Sequence, residues 1–269
     1  MFAINRKEEL CRELLKNKSI IVKEMAEKLN VTEETIRRDI KALENEGIAE
    51  RTHGGAVLKS TVMNVFSNNE RKQLFVENKK AMANITAQYV VNNMCIFMDS
   101  STTVYETLPL IWDKNLTIVS NSMEVITACT SKPNIRLISL GGEYDSKYGI
   151  FMGSMTLDSL RYMNFDLAIL SCRTMSLQNG ICEAKHEQSD LKRMAAKHST
   201  KIVTVIDHTK FDKSSFVKTM DTENTDVLIT DLPLQRHWVD FLNEKKIEYR
   251  IAAEELPEYS FLLQSEETK

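Results

Sequence analysis

Thr35-Ile36-Arg37-Arg38-Asp39-Ile40, followed by Leu43-Glu44, Gly47 and Arg51-Thr52-His53-Gly54-Gly55-Ala56, is the stretch on which the fold of this chain turns. At about 100° per residue, Ile36, Ile40 and Leu43 share one helix face. Arg38 lies opposite them, flanked by Glu34, Lys41 and Thr35, with Arg37 to the side. Thr32 is a good N-cap, and Glu33 and Glu34 complement the helix dipole. The helix is expected to run to about Glu46, with Gly47 as its C′ residue. Working backwards, Asn30-Val31 reads as a turn and Val22 to Leu29 as a short helix burying Met25, Ala26 and Leu29. Residues 4–17 read as a first helix with Ile4, Leu10, Leu14 and Leu15 on one side. Working forwards, Ile48 to Leu58 alternates loosely around Thr52-His53-Gly54-Gly55, as a two-stranded wing would.

A short helix, a tight turn and a second helix presenting threonine and arginine from its first turns are what major-groove insertion requires. Arginine binds guanine O6 and N7 bidentately, whereas lysine and threonine suit phosphates. The same face also reads as a solvated one laced by Glu33–Arg37 and Glu34–Arg38 pairs. The wing shifts the balance, because Arg51 and His53 stand beside two glycines that allow close backbone approach to phosphates. On these residues the segment resembles the winged helix-turn-helix of the DeoR family of bacterial transcriptional regulators. The resemblance implies double-stranded operator DNA as partner. Thr35, Arg37, Arg38 and Lys41 would meet it through the recognition helix, and Arg51 and His53 through the wing. Ile21 departs from the pattern, standing where the family usually has a Ser or Thr cap, a cost of about 1 kcal/mol.

The chain has 269 residues, enough for two domains of ordinary size. From about residue 59 the pattern changes. Ser67 to Lys72 reads as part of a linker, and a helix is expected from about 76 to 92. Short apolar runs at 95–99, 117–120, 135–140, 166–171, 202–207 and 226–231, with an edge run at 247–251, then alternate with helical patterns. Such alternation specifies a mostly parallel sheet with covered faces. The expected fold is therefore α/β: a winged helix-turn-helix over 1–58, a linker over 59–75, a larger α/β effector-binding domain over 76–255, and a tail over 256–269.

Polar residues gather at the carboxyl ends of these strands, where open α/β sheets bind ligands. Asp99-Ser100-Ser101-Thr102-Thr103 follows the first strand, Asn121 the second, Gly141-Gly142 the third, and Asp207-His208-Thr209-Lys210 the fifth. Hydroxyls and backbone N–H groups at a helix start suit phosphate, a carboxylate suits sugar hydroxyls, and a lysine suits phosphate charge. The order resembles the DeoR effector domain, itself related to ribose-5-phosphate isomerase, and implies a phosphorylated sugar as effector. Asp99 to Thr103, Asn121, Gly141, Gly142 and Lys210 are the expected contacts. Three departures stand out. Ser101 replaces the usual glycine, Ser171 to Thr174 lacks one, and Gln188 stands where Glu is common before Lys192, with Glu187 adjacent.

An isomerase reading of this domain needs a general base. Asp99, Asp207 and Glu183 are candidates, but none lies in a catalytic motif, and a regulator needs differential affinity rather than turnover. A sugar-phosphate enzyme with a DNA-binding appendage is the alternative. The histidines lack metal spacing, and the five scattered cysteines read as free thiols. The longest apolar run, Met94 to Met98, is far short of a membrane span. With no apolar signal core, a cytoplasmic protein is expected, with neither cofactor nor membrane partner. Net charge is -3 overall, yet residues 1–60 carry 12 Lys/Arg against 11 Asp/Glu. So little positive charge predicts weak DNA binding by one copy, and hence a homo-oligomer, dimer or tetramer.

Overall fold

The computed structural model describes residues 6, 9–11, 13–14, 17, 19–45, 48–58, 68–72 and 75–255, with the backbone alone at 69, 70, 254 and 255. Gly47, Ile4, Leu15, most of the 59–75 stretch and the 256–269 tail lie outside the described residues. The chain divides into two compact units, Met1–Phe75 and Val76–Lys269.

In the first unit, strand β1 (Ser19–Ile21) leads directly into helix α1 (Val22–Leu29), and helix α2 (Glu33–Asn45) follows. Asn30 closes α1 in the left-handed conformation (φ 51), a state that asparagine tolerates. Thr32 caps α2, its Oγ1 accepting from the Thr35 backbone N–H at 3.3 Å. No side chain caps α1 at Ile21. The wing strands are β2 (Ala49–Arg51) and β3 (Gly55–Leu58), but the sheet has three strands rather than the expected two. β1 adds to β3 antiparallel, pairing Ile21 with Gly55. Ile36, Ile40 and Leu43 are buried with Leu10, Leu14, Ile20, Val22 and Met25, so the apolar stripe of α2 does face the core. A short helix α3 (Asn68–Lys72) occupies part of the stretch expected to be linker.

The second unit opens with helix α4 (Val76–Ala87), five residues shorter than expected, since turns and loop take over from residue 88. Seven parallel strands follow: β4 (Cys95–Met98), β5 (Leu116–Ser120), β6 (Ile135–Ser139), β9 (Phe165–Leu170), β12 (Ser199–Val205), β14 (Val227–Thr230) and β15 (Glu248–Ile251). Their order is β15-β14-β12-β9-β4-β5-β6, parallel at every pairing. Alternating side chains bury both faces. Ile96, Met98, Ile118, Leu167, Ile169, Val203 and Ile229 pack under α4, against Ala81, Met82 and Ile85. Phe97, Val119, Ala168, Leu170 and Leu228 pack on the other side. There they meet helices α8 (His186–Lys197) and α9 (Arg236–Glu244) through Leu191, Ala195, Trp238 and Leu242.

Two features lie outside the sequence expectation. A hairpin of β7 (Glu143–Asp145) and β8 (Ile150–Met152) precedes a short helix α7 (Ser154–Leu160). Strands β10 (Thr174–Ser176), β11 (Gly180–Glu183) and β13 (Val217–Met220) form a small antiparallel sheet. The chain enters the large sheet at β4, runs outward to β5 and β6, then returns to β9 on the other side and continues to β15. The carboxyl ends of β4 and β9 therefore flank the topological switch point, the position at which such sheets form a ligand crevice.

Candidate DNA face and effector crevice

On α2, Arg37, Arg38 and Lys41 are exposed on the side away from the buried isoleucines. Arg37 is engaged by Glu33 at 2.8 Å, the i,i+4 pair that the solvated-face reading anticipated. The matching Glu34–Arg38 pair does not form, and among the described residues Arg38 and Lys41 have no hydrogen-bond or ion-pair partner. Thr35 is half-buried, its hydroxyl 2.9 Å from that of Thr32 at the cap. Asp39 is engaged by Arg6 through two guanidinium hydrogen bonds, a contact that sequence reading missed because 33 residues separate the pair.

Arg51, His53 and Gly54 are exposed on the wing. The two glycines have different jobs. A Cβ on Gly54 would meet nothing within 4 Å, whereas one on Gly55 would lie 1.8 Å from the Ile20 carbonyl oxygen. Gly55 is thus required by the β1–β3 pairing, and Gly54 alone leaves open space at the wing tip.

In the second unit, Asp99 is almost wholly buried, and its oxygens are filled by its own neighbourhood. Oδ1 accepts from the Ser101 N–H at 2.8 Å, and Oδ2 from the Ser171 N–H at 2.7 Å. Lys192 Nζ lies 3.0 Å from the same Oδ2. Ser101 takes an ordinary extended conformation (φ -70, ψ 138), so a side chain fits where the family pattern has glycine. Its hydroxyl caps the short helix α5 (Thr102–Tyr105) by accepting from the Thr103 N–H. Thr102 and Thr103 are buried, and Ser100 is half-buried.

Asn121 is buried and tied to the hairpin. Its Nδ2 donates to the Phe151 carbonyl at 2.9 Å, and its own carbonyl accepts from the Phe151 N–H at 2.8 Å. Its Oδ1 has no hydrogen-bond partner among the described residues. Gly142 (φ +140) serves close packing, since a Cβ there would lie 2.2 Å from Thr156 Oγ1 and 2.5 Å from the Met152 carbonyl oxygen. The Gly141 carbonyl accepts from Thr156 Oγ1 at 2.6 Å. Gly141 and Gly142 thus hold the hairpin, a role that strand-end position alone did not reveal.

Lys210 is buried, with Nζ 3.0 Å from Ser171 Oγ and 3.5 Å from Asp207 Oδ2. Burial works to raise the Asp207 pKa, but Lys210, a hydrogen bond from Thr209 and the charges of His208 and Lys79 outweigh it and hold the carboxyl at about 2. Such a group is a poor general base. Burial likewise works against the Lys192 ammonium, yet Asp99 and Glu183 more than compensate and hold its pKa above the ordinary range. Beside Asp99, Lys192 is met by Glu183 at the end of β11, and among the described residues not by Glu187 or Gln188 of its own helix. Buried Cys172 is an unreactive thiol, pushed up to about 12 by burial. A second buried carboxylate, Asp231, accepts from the His208 backbone N–H at 2.6 Å and from Asn78 Nδ2 at 2.8 Å, with His208 Nδ1 at 2.7 Å. Neither Asp231 nor Asn78 carried a sequence signal. Among the described residues no group of three or more His, Cys, Asp or Glu side chains fits a metal ion, and no helix is long and apolar enough to cross a membrane.

Comparison with known proteins accords with this geometry. Residues 6–62 match the DeoR-like helix-turn-helix domain, and residues 74–232 match the DeoR C-terminal sensor domain. The chain is 32% identical over 247 residues to the uncharacterised HTH-type transcriptional regulator YulB of Bacillus subtilis, covering 92% of this chain and 96% of that protein. It is 30% identical to the HTH-type transcriptional regulator GolR of Listeria innocua, covering 86% and 91%. It is also 30% identical to the glycerol-3-phosphate regulon repressor of Escherichia coli, covering 82% and 88%. Among solved structures, a ribose-5-phosphate isomerase in complex with phospho-erythronic acid superposes with a TM-score of 0.37 at 12% identity, over 51% of this chain and 54% of that one. The matched relatives are named as regulators and repressors rather than enzymes. Two family domains in order, and full-length similarity to such regulators, make this chain a DNA-binding transcriptional regulator of the DeoR family.

Proposed function

We propose that this regulator represses a sugar-metabolism operon and that a phosphorylated sugar in the second unit modulates its affinity for operator DNA. The observation that carries the reading is the cluster of polar side chains at the carboxyl ends of β4 and β9. There Ser100 to Thr103, Ser171 and Lys210 stand together at the strand carboxyl ends, at the switch point where this topology binds ligands. Hydroxyl and ammonium donors suit a phosphoryl group, and Asp207 is ionised to hold both Lys210 and sugar hydroxyls. Several relatives bear names of the same kind, among them the glycerol-3-phosphate regulon repressor and a putative aga operon repressor of Escherichia coli.

At the DNA, Arg38 reads base edges while Arg37, Lys41 and Thr35 meet the backbone. Arg51 and His53 on the wing touch flanking phosphates. The protein works in the cytoplasm as a dimer or tetramer, because one winged helix with a near-neutral charge neutralises too few phosphates for tight binding. Ligand binding shifts the balance between two arrangements of the assembly, so affinity for DNA changes by the ratio of ligand affinities for the two.

Fluorescence anisotropy on DNA from the gene's own upstream region, at fixed salt and with a panel of sugar phosphates, tests the proposal. Specific binding that one compound shifts several-fold supports it. Absence of any preference over random DNA across a genomic fragment library overturns it. Sedimentation of a single 30.8 kDa species at micromolar concentration would remove the oligomer.

A further inference from the structure

We infer that Glu183 sets the class of effector by withholding Lys192 from the ligand, so that the crevice takes a polyhydroxyl molecule with one phosphoryl group and rejects a bisphosphate. The inference rests on the sugar-phosphate reading given above.

An ammonium has three N–H donors. Lys192 spends all three inside the protein, on Asp99 Oδ2 at 3.0 Å, on the Ser171 carbonyl at 2.7 Å, and on Glu183 Oε1. Lys210 is different. Among the described residues it makes a single side-chain hydrogen bond, to Ser171 Oγ, and a longer ion pair to Asp207, which leaves donor capacity for a ligand. Four cations (Lys79, Arg173, Lys192 and Lys210) and four carboxylates (Asp99, Glu183, Asp207 and Asp231) are buried in the second unit, so its buried charges balance before any ligand enters. One phosphoryl group can be met by Lys210 and the hydroxyls. A second adds about two further negative charges to a desolvated site whose other lysine is already neutralised, which is costly.

The placement of Glu183 is built by the fold. The pairing of β11 with β13 shifts register between Ile181 and Cys182, and a bulge of this kind redirects the side chains that follow it. Glu183 comes immediately after, buried, and points at Lys192 on α8. Gln188, one helical turn before Lys192, is neutral and also buried. The carboxylate therefore approaches from the strand side and not along the helix, where it closes Lys192 off from the crevice.

The full-length protein and its Glu183→Gln and Glu183→Asp variants are titrated calorimetrically with fructose 6-phosphate, fructose 1,6-bisphosphate, inorganic phosphate and pyrophosphate. For Glu183→Gln the expected result is a rise of at least tenfold in affinity for pyrophosphate or the bisphosphate, with less than a threefold change for the monophosphates. Glu183→Asp, which keeps the charge but draws it back by one methylene, is expected to gain two- to fivefold. If Glu183→Gln does not fold, that gain decides the matter. Pyrophosphate-to-phosphate ratios unchanged across the folded proteins overturn the inference. If no protein binds either fructose phosphate while Glu183→Gln still gains pyrophosphate binding, the role of Glu183 stands and the sugar-phosphate reading fails.

Discussion

Arg6 and Asp39 are joined by a two-pronged ion pair, Nε to Oδ2 and Nη2 to Oδ1, the latter at 3.1 Å, with both side chains largely shielded from solvent. The contact fixes the roll of α2 about its own axis. Asp39 sits between Arg38, which faces outward, and Ile40, which is buried, so holding Asp39 holds the direction of Arg38. Bidentate, charge-assisted hydrogen bonds of this sort are stronger than ordinary ones. Arg6→Ala should cost about 1–3 kcal/mol of stability in the first unit and weaken operator binding as well. Thermal unfolding and anisotropy check the two effects separately. An unchanged midpoint together with unchanged affinity would show that the pair holds nothing.

Arg37 and Arg38 are adjacent and equally charged, yet they should behave differently on DNA. Arg37 is held by Glu33, while Arg38 has no protein partner among the described residues. A guanidinium without an internal partner loses no contact when it turns to a guanine. Arg38→Ala should therefore cut specific affinity by about 1–3 kcal/mol and relax discrimination at one base pair. Arg37→Ala should lower specific and random-sequence binding alike and flatten the salt dependence by about one unit of slope. Competition titrations over a range of salt would separate the two, and equal loss of specificity from both would contradict the assignment.

Stability should fall at acid pH through Asp207. Its carboxyl is held at about 2 in the folded protein, below the ordinary value of 3.8. A depressed carboxylate stabilises the fold above its unfolded pKa, and that contribution is lost as pH falls through the folded value. The window is therefore roughly pH 5 to 2, and the contribution is of the order of 2 kcal/mol. Lys192 acts in the opposite sense. With its pKa raised, its contribution persists at neutral pH and is lost only in strong alkali, above the ordinary lysine value of 10.5. Urea unfolding of the wild type and Asp207→Asn between pH 3 and 7 tests the first effect. The wild type should lose more stability on acidification than the variant does, and parallel curves would refute it.

The seven sheet strands were legible because each is a short apolar run whose two faces are both covered, as with Ile96-Phe97-Met98 or Leu228-Ile229. The β7–β8 hairpin was not, because Glu143-Tyr144-Asp145 is short, polar and largely exposed, and the hairpin is ordered by backbone contacts of Asp145 with Gly149 and of Phe151 with Asn121. The β11–β13 pairing joins residues more than thirty positions apart, so no local period announces it. Much the same divide runs through the site. Asp99 and Lys210 were visible from their places after apolar strands, whereas the Glu183–Lys192 pairing links a strand end to a helix and depends on a register slip. Glycine misled in one respect: Gly55 and Gly142 stand where ligands were expected to approach, yet both are demanded by neighbouring protein backbone.

Ile21 offers a way to improve the first unit without touching its DNA face. It occupies the N-cap of α1 in an extended conformation (φ -105, ψ 128), makes no side-chain cap hydrogen bond, and is half-exposed despite being apolar. A threonine there keeps the β-branched preference of the β1–β3 pairing and supplies an oxygen for a backbone N–H in the first turn of α1. Because the isoleucine is half-exposed, little buried apolar surface is lost in exchange. Ile21→Thr should therefore stabilise the unit by about 0.5–1 kcal/mol, raising the unfolding midpoint of a domain this size by a few degrees. Operator affinity should stay within twofold. Ile21→Val, which keeps the shape but has no oxygen, separates the cap from simple trimming of an exposed side chain. If valine raises the midpoint as much as threonine, the gain does not come from capping α1.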